Sequence, residues 1–267
     1  MSRYFLLFLF LWSCSPKTIK PVFKQQPQHP ITGTQFYQQT MKMQWRERDS
    51  LAFEKILSGN FPTFLKKFNK IDVTSIDTAT NKTIKASIYV MPDYLSIGTD
   101  ADWARIPLTP ITAQQIADSF DCFLPTKKIV DIVYNAAAVK LEPVPMYIYR
   151  DSTVTMWQHN LIIEGQRNKR KGLIAGIKKD VVISDKVSRD AKPNRVAIYG
   201  WHRLNGQPIQ PLYMGHVNWY ADYSHGIRLV YRKIKVNGNW MDYTEVLKDP
   251  VLRKLICDEQ HCDFYRY

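Results

Sequence analysis

His216, Asp222 and His225 fall within a single ten-residue window of the stretch GHVNWYADYSHGIRLV, residues 215–230, which also carries Tyr223, Ser224 and Arg228. These are the side-chain types of a proton-transfer site. An imidazole takes or gives a proton near neutral pH. A carboxylate beside it orients the ring and stabilises its charged form. An arginine holds a substrate carboxylate or a developing oxyanion. Read as a strand, the stretch puts His216, Asn218, Tyr220 and Asp222 on one face and Val217, Trp219, Ala221 and Tyr223 on the other. A second strand, beginning near Arg195, ends at Gly200-Trp201-His202, and pairing of the two would bring His202 to His225. The expected assignment makes His225 the acid/base and Asp222 or His216 its orienting partner. His202 and Arg228 would bind substrate or stabilise charge, with Ser224, Tyr223, Trp201 and His159 as further substrate-binding candidates.

Two other chemistries use the same residues. His202, His216, Asp222 and His225 have the ligand types that suit zinc, although the H-x5-D-x2-H spacing matches no established zinc motif. No cofactor is otherwise expected. Cys122, just ahead of a helix that starts near Pro125, could serve as a thiol nucleophile if a helix dipole lowered its pKa. Otherwise the nucleophile is water, and Cys122 is a small buried residue.

The run Ser224-His225-Gly226-Ile227-Arg228 resembles the Ser-His-Gly-Cys-x-Arg signature of the L,D-transpeptidases, which cross-link peptidoglycan. The nucleophilic cysteine of that signature is replaced by Ile227 and the arginine lies one residue closer, so the resemblance does not carry the activity. PDYLSIGTDADW, LPTKKIVDIVYNAA, RVAIYGWH and YADYSHGIRLV are similar to segments of secreted bacterial proteins, a likeness that implies no mechanism.

The N-terminus carries the address. Arg3, the apolar run of residues 4–12 and small Ser13 have the order of a secretory signal, and the run is too short to span a bilayer. Leu11-Trp12-Ser13-Cys14 resembles a bacterial lipobox, which implies cleavage after residue 13 and lipidation of Cys14. Pro16, Pro21, Pro27 and Pro30 punctuate residues 14–33, which read as an extended tether. The expected location is the cell envelope, lipid-anchored in the outer membrane and facing the periplasm. An oxidising compartment makes Cys257 and Cys262, which enclose four residues, a disulfide that staples the tail.

Composition narrows the partners. Lysine and arginine exceed aspartate and glutamate by 37 to 24, giving a net charge of +13. Such a surplus concentrates polyanions at the surface. In the envelope this means an anionic polymer rather than nucleic acid, besides the membrane reached through the lipid. The expected function is therefore a hydrolase of peptidoglycan-like material, with an amide bond as its target. The alternative is a non-catalytic envelope protein that binds an anionic glycan or a protein partner. The densest basic run, residues 167–171, reads as a solvated helix end, and Asp93, Asp100 and Asp102 as a solvated loop.

These residues must be positioned by one domain, residues 34–267, with hydrophobic content of 45%, enough for a sizeable core. Residues 34–57 read as a helix with Met41, Trp45, Ala52, Phe53 and Ile56 inward and a break near Asp49-Ser50. Residues 71–77 and 83–90 form a hairpin around Asn81. Short strands at 94–98 and 103–108 follow, then helices from Thr112 and from Pro125-Thr126, the second with Ile129, Val130, Val133, Tyr134 and Ala137 as its apolar stripe. A helix over 157–166, strands over 180–184, 195–201 and 227–236, a turn at Asn237-Gly238 and short helices over 243–248 and 251–257 complete the chain. Helices and strands mix without regular alternation, which predicts an α+β domain with a central, mostly antiparallel sheet and flanking helices.

Overall fold

A computed structural model describes residues 21–267. The expected signal peptide, the expected lipidation site Cys14 and the start of the expected tether lie outside the described residues. The architecture is the expected α+β mixture. A six-stranded antiparallel sheet is centred on Lys82–Val90, which pairs with Asn69–Asp77, Lys233–Val236 and Val230–Tyr231. Asn239–Asp242 and Cys122–Phe123 complete it. A four-stranded sheet runs Pro208–Tyr213, Ala197–His202, Lys179–Val182, His225–Gly226, and its last pair is parallel.

The local signals explain these elements. The hairpin turns where Asn81 adopts φ 54°, a conformation that asparagine tolerates better than most residues. Thr126 caps the helix Lys127–Ala136 by accepting from the Ile129 amide. Ile129, Val130, Val133 and Tyr134 bury the stripe read from the sequence, and Ala137 stops the helix as its C-terminal cap. Tyr243–Lys248 forms with a complete capping box from Asp242 and Glu245. Cys257 and Cys262 are joined in a disulfide.

The first helical segment breaks earlier than expected. Helix Gly33–Thr40 ends before residues 41–44 and Trp45–Leu57 begins afresh on a Gln44–Glu47 capping box, while Asp49-Ser50 lies inside it. Met41 is consequently 48% exposed rather than in the core. The next helix starts at Pro110, two residues before Thr112, because proline suits a first turn where no amide partner is needed. The strand expected over 227–236 is split into Val230–Tyr231 and Lys233–Val236.

The tether reading also shortens. Residues 21–32 form no helix or strand, yet Phe23 packs on Phe61, Phe68 and Phe120. The Ile31 amide donates to the Asn60 side chain, and the Asn60 amide group donates back to the Ile31 carbonyl. The folded unit thus begins ahead of residue 34. No helix of the described residues is long and apolar enough to cross a membrane.

Candidate functional site

Residues 215–222 are not a strand. The Val196 amide donates to the His216 carbonyl and the Asn218 amide to the Asn194 carbonyl, after which the chain turns through Val217–Tyr220. The two-face alternation therefore does not apply. The turn instead folds His216 back over the end of the sheet, so its ring lies 4.6 Å from Tyr220 and 6.0 Å from His225. Only His225–Gly226 joins the sheet, beside Lys179–Asp180. Glycine is required there: a Cβ at Gly226 would meet the Tyr94 ring and the Lys178 side chain at 2.6–2.7 Å.

These constraints bring His216, Asp222 and His225 together, with one potential ligand atom from each inside 4.8 Å of the others. His225 and Asp222 are fully buried and His216 is partly exposed. Both nitrogens of His225 lack a hydrogen-bond partner among the described residues. Its Nε2 stands 3.9 Å from Asp222 Oδ1, outside hydrogen-bond range. This is not the hydrogen-bonded Asp–His pair expected of an orienting carboxylate. Asp222 is held firmly by others. The Ser224 amide and hydroxyl donate to Oδ1 at 2.8 and 2.5 Å, and Arg150 ion-pairs with Oδ2 at 3.0 Å.

The electrostatics leave all three groups in the form that ligates a metal, neutral imidazole and ionised carboxylate. Burial pushes His225 down to about 4 against the pull of Asp222, and burial lowers His216 as well. Burial alone would raise the Asp222 carboxyl, but His225 and the Ser224 bonds outweigh it and hold it at about 2.

The remaining sequence candidates sort by their contacts. Ser224 positions Asp222 and is itself buried. The Tyr223 hydroxyl accepts from the Met146 amide and its ring packs edge-on against His159 at 4.8 Å. His159, expected as a substrate contact, is fully buried, with Nδ1 3.2 Å from Lys178 Nζ. Trp201 is buried, and its indole N–H donates to the Ile177 carbonyl. His202 does not join the cluster. It turns to the helix Lys127–Ala136, where Nε2 meets Asp131 at 2.9 Å and the ring stacks on Tyr134. The reason is that it sits on the strand Ala197–His202, whose pairing with Lys179–Val182 separates it from His225–Gly226.

Arg228 is not available to a substrate. It is buried, donates to the Met91 and Ile174 carbonyls at 2.8 and 2.6 Å, and lies over the Tyr94 ring. Ile227, which stands where the transpeptidase signature has its cysteine, is also fully buried. Cys122 belongs to the other sheet, opposite Tyr231. Burial pushes its thiol well up, the Sγ–H donates to the Phe120 carbonyl, and a raised, sealed thiol is no nucleophile.

Sequence reasoning missed Lys178, Lys179 and Arg150. Lys179 pairs with His225 in the sheet, and Arg150 holds Asp222. Lys178 donates to the Tyr223 carbonyl, and burial lowers its ammonium to about 7. The available signal was Lys178-Lys179-Asp180, three charges running straight into the apolar residues Val181-Val182-Ile183. Buried charges need partners, and here Lys178 meets His159 and the Tyr223 carbonyl, Asp180 meets Tyr94 and Arg228, and Lys179 lies over Trp201. Comparison of the chain with protein-family models, with curated proteins and with solved structures returns no match.

Proposed function

We propose that this chain is a metal-assisted hydrolase of the cell envelope that cleaves amide bonds in peptidoglycan-like material, with His216, Asp222 and His225 holding a zinc ion. The observation that carries the reading is His225: a buried imidazole with both nitrogens unbonded, facing a carboxylate and a second imidazole. Buried polar atoms in native proteins have partners, and a cation at the centre of the three groups supplies one. Two imidazoles and a carboxylate are a known zinc set that leaves a position open for water. When bound, the ion would make that water nucleophilic near neutral pH. The chain's own part is to keep the imidazoles neutral and to hold the carboxylate in place through Ser224 and Arg150. The envelope address rests on the signal-like residues 1–14, and the Cys257–Cys262 disulfide supports it.

The test is metal analysis of the purified protein together with digestion of purified sacculi. Wild type takes up one zinc per chain and releases soluble fragments; His225→Ala does neither. A wild-type protein that binds no zinc, or an alanine variant with undiminished turnover, overturns the reading.

One observation favours the alternative, binding of an anionic glycan without catalysis. A 660 Å³ cleft is lined by Trp103 and Phe64 together with Lys67, Arg167, Lys169, Arg170 and Lys171, with Asp100 as an exposed acidic member. The basic run at the end of helix Thr153–Arg167 is solvent-exposed, as expected, and lines this cleft as well. On this reading Lys169→Glu with Lys171→Glu abolishes retention on sacculi, while His225→Ala leaves it intact.

A further inference from the structure

A second cleft, of about 420 Å³, opens beside the cluster. Its walls come from residues 41–45, from Asp151–Thr153 and from Trp219–Ala221. Tyr220 belongs to both places, since it lines the cleft and packs on His216, and Ala221 leads directly into Asp222. Two helices, Trp45–Leu57 and Thr153–Arg167, begin at this cleft with Gln44 and Ser152 as their caps. Their positive ends both favour an anion here.

The cleft also contains Arg48, which is only 2% exposed. Its Nε has no hydrogen-bond partner among the described residues. Nη1 reaches the Asp151 carbonyl and the Thr153 hydroxyl only at 3.4 Å. The nearest carboxylate oxygen, Asp49 Oδ1, is 3.9 Å from Nη2, while Oδ2 of the same group accepts from the Thr109 amide and hydroxyl. Lys42 lines the cleft as well, and the Asp151 side chain, exposed at its mouth, is the acidic group among its walls. A guanidinium is a planar fork with five donors, and burying it underbonded is costly unless a ligand completes it. The group that fits that fork is a carboxylate, taken through two parallel hydrogen bonds.

We propose that Arg48 is the floor of a carboxylate-recognition subsite, so that the substrate is a peptide bearing a free carboxylate near the bond presented to the His216–Asp222–His225 centre. This rests on the hydrolase reading for the word substrate; the subsite itself does not. A cell-wall peptide offers two sources of that group, its C-terminus and the carboxyl of an internal acidic residue.

The experiment is calorimetric binding of a disaccharide-tetrapeptide to His225→Ala protein, which removes turnover from the measurement. Three forms of the probe are compared: the free acid, the C-terminal amide, and the form amidated on its internal carboxyl. Amidation at the recognised position weakens binding about 10-fold or more, the range for a charge-assisted hydrogen bond, and identifies the source. Arg48→Gln in the same protein binds the acid and that amide equally. Arg48→Lys keeps the charge, loses the fork and retains only part of the preference; it carries the test if the glutamine variant does not fold. Equal binding of all three probes, or an unchanged preference in the Arg48 variants, overturns the subsite. A protein that binds no zinc but prefers the acid through Arg48 keeps the subsite and loses the hydrolase.

Discussion

Two buried polar clusters, built from the same kinds of residue, differ in whether their hydrogen bonds close. Around Arg105, all is paired. Its Nε and Nη2 form a fork on Asp93 at 2.9 and 2.5 Å, and Nη1 reaches Glu164 at 2.7 Å. Asn160 accepts from the Arg105 backbone amide, and Asp93 also accepts from the Tyr94 amide. Around His225, Asp222 is equally well bonded, but the imidazole facing it has no partner at all. A closed network fixes the fold, here by tying the strand Trp103–Arg105 to the helix Thr153–Arg167. An open one leaves bonding capacity for something that arrives from outside. On the proposed reading that spare capacity is where the metal binds, a distinction that burial alone does not draw.

The largest expected effect lies in the closed cluster. Arg105→Met strands the buried Asp93 carboxylate and should cost about 3–5 kcal/mol, the penalty for breaking a buried ion pair, read by urea or guanidinium unfolding. His225→Phe, which keeps a ring in place and gives up only nitrogens that bond to nothing, should cost far less, roughly 1 kcal/mol. Equal losses would erase the contrast between the two clusters.

The next effect sharpens the open cluster. Zinc at a hundred times its dissociation constant should stabilise wild type by about 2.7 kcal/mol through mass action. Thermal melts of His225→Ala and Asp222→Asn should not respond to the metal. A response in all three proteins would place the metal elsewhere.

The effect that is smallest at neutral pH, and grows only in acid, concerns His159, which stands between the clusters. Burial, with Lys178 and Arg105 nearby, holds its ring down to about 2. The unfolded chain protonates this histidine near pH 6.5, whereas the folded chain does not. The unfolded state then binds more protons, and stability falls as the pH drops below about 6.5, by up to roughly 1.4 kcal/mol per pH unit. His159→Phe removes that contribution, so its stability profile between about pH 6 and 4 should be flatter than wild type by the same slope. Parallel profiles would show that His159 titrates normally in the folded protein.

Much of the fold was legible because its signals are local. The hairpin around Asn81, the Lys127–Ala136 stripe and the short helix over residues 243–248 are each carried by neighbours in the chain. The site was legible only in part. His216, Asp222 and His225 were marked by type and proximity, yet the strand expected to align them is a turn that folds one imidazole over the other. Asp93 reads as a loop acid and is fully buried, because its partner Arg105 lies on another strand. Arg48 carried a faint signal, an arginine in line with Ala52 and Ile56 on a buried helical stripe.

By itself the amino-acid order determined the mixed architecture, the cysteine pair at the tail and the short window that holds the two imidazoles and the carboxylate. Tertiary structure alone decided which candidates come together. It sent His202 to Asp131, sealed Cys122 and Arg228 inside, and set Arg48 beside a turn more than 160 residues further along the chain. The physical reason is that chemistry depends on burial and on unmet hydrogen bonds, and both are settled by neighbours brought in from distant parts of the chain.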